Sequence, residues 1–213
     1  MGQKVNPIAL RMGIHHDFKS VGYYSKKNYA ATVLQDIKIR EMMFEKLRPA
    51  SVGEVQILRT ISGIKITIHV VRPGIVIGRG GQGLEDLKKV VIRVMNETSK
   101  EIVNSKIELK VEPIKDPNLN AYLVANNVVD QLNRRMPHRR VMKQITERVM
   151  NARAKGVRII LSGRIGGAEI GRTERVQLGK VSLSTIRENI DYAQVPALTK
   201  SGYVGVKVWI NKE

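Results

Sequence analysis

The residues best suited to chemistry in this sequence are glycines and cations set close together. The stretch Arg72-Pro73-Gly74-Ile75-Val76-Ile77-Gly78-Arg79-Gly80-Gly81-Gln82-Gly83 joins an apolar run to a glycine loop, with Leu84-Glu85-Asp86-Leu87-Lys88-Lys89 behind it. Successive glycines reach positive φ and let a second backbone come near. A cation at the loop tip, with a helix starting just behind, offers free N–H groups and a positive dipole end to an anion. A second group is Arg139, Arg140 and Lys143, beside Arg134 and Arg135. At 100° per residue the three lie within about a third of a helix circumference, where they form either a row that tracks phosphates or a solvated basic face. A third is Ser162-Gly163-Arg164-Ile165-Gly166-Gly167-Ala168-Glu169-Ile170-Gly171-Arg172, followed by Arg175 and Lys180. Close backbone approach to RNA and a bulged hairpin turn explain it equally well. Trp209, the only tryptophan, is able to stack a base, although one aromatic beside a core strand is more often packing.

Composition narrows the partners. Among 213 residues, 37 Lys and Arg oppose 19 Asp and Glu, a formal net charge of +18, so polyanions are expected. Cysteine is absent, which excludes disulfides and thiolate metal sites and fits a reducing compartment. The four histidines lack metal-site spacing. No apolar run approaches the roughly 20 residues of a membrane span, and no apolar signal core opens the chain. These points describe a soluble intracellular protein with no metal and no cofactor. There is no P-loop lysine motif and no nucleophile with a base at motif spacing, so an enzyme is not expected.

The elements that must hold these groups follow from periodicity. Residues 1 to about 30 are basic and without apolar periodicity, a tail or an arm ordered mainly by a partner. Ile39, Met43 and Leu47 predict a helix over 36–47 that ends before Pro49. Residues 55–60, a turn at Ser62-Gly63, and alternation over 64–70 predict a hairpin. Leu84, Leu87, Val91 and Val94 predict a helix, and 107–111 a third strand. Pro113 to Asn118 reads as a linker. Beyond it come a helix up to Arg134-Arg135, a break at Pro137, a helix through Ala152, a strand over 157–161, a short helix over 184–190 and a final strand over 204–210.

That order separates two readings of the glycine loop. Gly78-x-Gly80-x-x-Gly83 spells the dinucleotide fingerprint, and Glu112 imitates its acid. A dinucleotide domain, however, needs its glycines directly after a parallel strand. Here an antiparallel hairpin precedes them, Pro73 and Gly74 interrupt the chain, and one strand follows. Gly78-x-x-Gly81 after Val76-Ile77 instead resembles the GXXG loop of a type II KH domain, which clamps single-stranded nucleic acid. One departure is Gly80 as the second x, leaving Arg79 as the loop's cation.

Five further stretches extend the likeness over nearly the whole sequence: Met1-Gly2-Gln3-Lys4-Val5-Asn6-Pro7 with Arg11 and Gly13, RRMPHRRVMKQ from Arg134, SGRIGGAEIGRTE from Ser162, ENIDY from Glu188, and Tyr203 to Ile210. With RPGIVIGRGG from Arg72, they resemble the bacterial-type small-subunit ribosomal protein S-three family. The resemblance implies an α+β fold of two domains: an N-terminal type II KH domain, and a C-terminal α/β domain with two helices packed on a small, mostly antiparallel sheet. The boundaries expected are a basic arm over 1–35, the KH domain over 36–112, a linker over 113–118 and the second domain over 119–213. Implied too are a place in the small-subunit head, contacts with its ribosomal RNA and with the neighbouring proteins S-ten and S-fourteen, and no homo-oligomer. Gly78, Arg79, Gly80 and Gly81 match the clamp. Arg139, Arg140 and Lys143 match a basic group that helps unwind messenger in the entrance channel. Gly2, Gln3, Lys4, Arg11, Arg164, Arg172 and Arg175 are expected at ribosomal RNA. The place expected is the cytoplasmic ribosome, with an organellar ribosome left open. A free KH-type regulator of transcripts, outside ribosomal particles, is the alternative.

Overall fold

In a computed structural model, which describes residues 3–24, 26–60, 63–98 and 106–212, the chain forms two units. Residues 18–115 make the first; residues 116–212, with 3–17, make the second. The elements are α1 (Pro7–Leu10), β1 (Ser20–Gly22), α2 (Tyr29–Lys46), β2 (Val52–Thr60), β3 (Gly63–Val70), α3 (Pro73–Ile77), α4 (Gln82–Thr98), β4 (Lys106–Pro113), α5 (Ala121–Asn133), α6 (His138–Asn151), β5 (Gly156–Gly163), β6 (Arg172–Gly179), β7 (Ile190–Thr199) and β8 (Gly202–Asn211).

In the first unit the sheet order is β1-β2-β3-β4. β2 and β3 are antiparallel with Ile57 opposite Ile66, and β4 runs parallel to β3 with Leu109 opposite Ile66. Alternate residues Val55, Ile57, Ile66 and Ile68 pack against Ile39 and Met43 of α2 and Leu87 and Val91 of α4. The antiparallel pair before the glycine loop removes the dinucleotide reading, which requires a parallel strand there. Of the expected Ser62-Gly63 turn, Ser62 lies outside the described residues and Gly63 opens β3.

α2 starts seven residues before the predicted helix, inside the expected arm. Its buried stripe keeps helical spacing, but the first half of the stripe is polar: Thr32, Gln35 and Asp36. Arg59, on the core side of β2, explains this. Its guanidinium lies against Asp36 Oδ1 at 2.6 Å and donates to Gln35 Oε1 at 3.2 Å, Gln35 Nε2 donates to the Met95 carbonyl at 3.3 Å, and Tyr24 OH donates to Asp36 Oδ2 at 3.3 Å. Burying this pair is tolerable only because its polar atoms are met by partners.

The second unit is a four-stranded antiparallel sheet, order β6-β5-β8-β7, with α5 and α6 on one side. Val128, Val141, Ile145 and Val149 meet Val157, Ile159, Val206 and Val208 there. α5 is capped by Asn120, whose side chain accepts from Tyr122 and Leu123 N–H, while Asp191 accepts from Ala121 N–H. β6 and β7 were not predicted. β6 is a solvent-facing edge, and β7 is an edge that tolerates Pro196.

Two expectations are corrected together. Residues 3–17 are packed on their own chain, and 184–190 is a series of turns, not a helix. Arg11 is the reason. Wholly buried, it donates to the carbonyls of Pro7, Leu183, Thr185 and Glu188, and His15 and His16 lie against those of Arg187 and Ile190. A helix would have turned those carbonyls along its own axis.

Candidate nucleic-acid interface

The glycine loop is a backbone device. α3 ends at Gly78 with φ 69° and ψ −179°, a conformation essentially restricted to glycine, and Gly80 and Gly81 follow at φ 62° and 81° in a tight 3₁₀ turn before α4. Two kinds of glycine can be told apart. A Cβ on Gly83 would lie 2.5 Å from the Val76 carbonyl oxygen, so Gly83 lets α4 close onto α3. A Cβ on Gly80 or Gly81 would meet nothing within 4 Å, so their bareness leaves the loop surface open. Arg79 is exposed at the tip. Gly83, outside the expected clamp, is thus the residue that shapes it, and only the packing of two helices reveals that.

α6 presents its cations rigidly. Val141, Met142, Ile145, Thr146 and Val149 are buried, and Arg139, Arg140 and Lys143 are exposed on the other side, as their spacing predicts. None of the three has a carboxylate partner among the described residues. The helix begins after Pro137 with no capping side chain and no acid in its first turn. Arg139 and Arg140 therefore crowd the positive end of the helix dipole, an arrangement that an anion relieves. Glu174 stands behind this turn, 2.8 Å from His138 Nε2 and 3.2 Å from Arg172 Nε.

The second glycine stretch is the connection of a β5–β6 hairpin. Ile165 anchors it in the core, and a Cβ on Gly163 would lie 2.8 Å from the Tyr203 carbonyl oxygen. Packing therefore accounts for Gly163, while Gly166 faces open space at φ 69°. A cavity of about 560 Å³ lies here, lined by Leu132, Arg135, Met136, Arg164, Leu198 and Lys200 among others. Arg164 is exposed and donates to the Ala168 carbonyl.

The expected ribosomal RNA contacts thus scatter. Gln3, Lys4, Arg164, Arg172 and Arg175 are exposed, whereas Arg11 is spent inside the fold, its donors met by main-chain carbonyls. Gly2 lies outside the described residues. Among the described residues no group of His, Asp and Glu is placed to hold a metal ion, and no helix is long and apolar enough to cross a membrane.

Residues 38–119 match the model of the KH domain, and residues 128–210 match that of the ribosomal protein S3 C-terminal domain. A small ribosomal subunit protein uS3 of Hahella chejuensis is 47% identical over 212 residues, covering 100% of this chain and 90% of the relative. Its counterparts in Pelotomaculum thermopropionicum and Vesicomyosocius okutanii are 47% and 42% identical, covering 99% and 100% of this chain and 87% and 89% of those relatives.

The chain belongs to the small ribosomal subunit protein uS3 family.

The two-domain α+β fold, a KH domain followed by a helix-covered antiparallel sheet, is the one its motifs imply. The uS3 family is one of ribosomal proteins and not of enzymes, in keeping with a sequence that has no catalytic motif. In this uS3-family chain Arg79 of the glycine loop and the cations of the α6 face are presented alike: buried apolar neighbours fix the backbone, and no carboxylate partner is found for them among the described residues.

Proposed function

We propose that this chain is a structural constituent of the small ribosomal subunit, in the cytoplasmic ribosome, binding the subunit's ribosomal RNA and lining the messenger entrance channel in its head. The observation that carries the channel assignment is the α6 face: three exposed cations without a carboxylate partner among the described residues, on a helix sunk into a core by its other side. Cations so placed hold separated strands more favourably than a paired stem and shift the local equilibrium towards open, without nucleotide hydrolysis by this chain. Translocation elsewhere supplies direction. The exposed loop at Gly78 to Gly81 is a second RNA contact, and neighbouring small-subunit proteins, S-ten and S-fourteen, complete the surroundings.

The test replaces Arg139, Arg140 and Lys143 by Ala. Assembly of the subunit is expected to continue and translation through messenger hairpins to slow. Unchanged passage through hairpins in assembled, triply substituted ribosomes removes the channel assignment.

A further inference from the structure

The second sheet has a bare side. α5 and α6 cover the side carrying Val157, Ile159, Val206 and Val208, and alternation sends Arg158, Ile160, Lys207 and Trp209 to the other. At one end this other side is closed: α1 lies against β7, Asn211 donates to the Lys180 carbonyl and to Glu188, and Ile190 and Asn211 are buried. Past that end, two cross-strand rows are followed by a third, uncharged one of Thr173, Ser162, Gly205 and Pro196. The first reads Gln177, Arg158, Trp209, Tyr192 across the four strands, and the second reads Arg175, Ile160, Lys207, Gln194.

Neither row holds a carboxylate. Arg158 is held by its Nε donating to Gln177 Oε1 at 2.9 Å, and its guanidinium pKa is lowered by burial and then by the nearby Arg175. Like charges gathered on one face repel, and phosphate removes the repulsion. Beside them the Tyr192 and Trp209 rings sit 5.1 Å apart at 36°, a π-surface of the kind on which bases stack without regard to sequence. The open side of the KH sheet serves as an internal control. There Lys65 and Lys110 are interleaved with Glu54, Glu108 and Glu112, so an acid-free face is not a general feature of this chain. A protein partner would be met as well by mixed charge; cations alone beside aromatic rings fit a polyanion with flat bases.

We propose that this open face is a separate RNA site, taking unpaired nucleotides with bases on Tyr192 and Trp209 and phosphates on Arg158, Arg175 and Lys207. It rests on the reading of the chain as an RNA-binding ribosomal component, and it uses neither α6 nor the glycine loop.

Trp209, the only tryptophan, makes its own fluorescence a reporter confined to this face. The full chain is titrated with a ten-nucleotide single-stranded RNA lacking self-complementarity, and with a duplex of equal length, while labelled-RNA anisotropy reports total binding. Single-stranded RNA is expected to quench Trp209, and duplex to quench it less. Replacing Arg158, Arg175 and Lys207 together by Gln is expected to weaken the quenching isotherm about tenfold or more and to lower its salt slope by about 2, at roughly 0.7 per phosphate contact. The α6 triple Ala variant is expected to keep the quenching, which separates failure of this site from failure of the channel assignment. RNA binding without quenching, or quenching unaltered by the Gln substitutions, overturns the proposal. In assembled subunits, photo-cross-links from position 209 to ribosomal RNA or to messenger support it and identify the source, whereas cross-links confined to a neighbouring protein overturn it.

Discussion

The two sheets of this molecule handle charge in opposite ways. On the open side of the KH sheet the lysines sit among acids: Lys110 reaches Glu112 at 2.7 Å, and Lys65 stands opposite Glu108. Beneath that sheet Arg59 is answered by Asp36. In the second unit, Arg139, Arg140 and Lys143 of α6 and Arg158, Arg175 and Lys207 of the open sheet face have no carboxylate at ion-pair distance among the described residues, although exposed Glu147 stands one turn from Lys143. Charge that is answered within the chain serves the fold, while charge left unanswered raises the local potential and waits for a polyanion. Removing the first kind should cost stability; removing the second should cost RNA binding.

The largest effect is expected at the buried pair. Asp36→Ala leaves Arg59 uncompensated and should lower the unfolding free energy by about 3–5 kcal/mol, read from urea unfolding of the full chain. A loss below about 1 kcal/mol would break the comparison at its strongest point. Next come the glycines, which sharpen it: Gly83→Ala forces α3 and α4 apart and should cost about 1–3 kcal/mol. Gly80→Ala meets no atom and should cost about 1 kcal/mol for its left-handed backbone. The α6 triple Ala variant should change unfolding by about 0.5 kcal/mol or less per residue. Its RNA affinity, in contrast, should fall with a salt slope reduced by about 2.

Acid should separate the sheets as well. The Glu112 carboxyl is held below its ordinary value of 4.5, chiefly by the hydrogen bond from Lys110. A carboxylate depressed in the folded state adds stability above its unfolded pKa, and that contribution disappears as pH falls through the folded value. Acid titration of Glu112→Gln should therefore show a weaker loss of stability below about pH 4.5 than the parent. The smallest effect is Arg175→Gln, which relieves Arg158 and should leave stability unchanged or raise it by a few tenths of a kcal/mol. A marked loss there would mean that Arg175 is answered after all.

Most of the elements, and the family, were legible in the sequence where apolar spacing was regular. The hairpin, α4, β4, α5, α6, β5 and β8 all follow from period and breaker residues, because side chains that bury one stripe or one face must repeat at 3.6 or 2. The cation row of α6 was legible for the same reason. Hidden were the places where a polar group does the work of a core residue. The first half of α2 has its stripe in Thr32, Gln35 and Asp36, which means nothing until Arg59 arrives from a strand 23 residues past Asp36. Arg11 reads as a surface cation until carbonyls more than 170 residues away surround it. β6 and β7 escaped because an edge strand needs few apolar residues.

By itself, then, the sequence determined the glycine loop, the basic helix and their family, since each is a local pattern whose physics lies within a turn or two of chain. Only the tertiary structure decided which cations are answered. It placed Arg11 and Arg59 inside, and it brought Arg158, Arg175 and Lys207 onto one face beside Tyr192 and Trp209, because pairing of four strands juxtaposes residues that no local period connects.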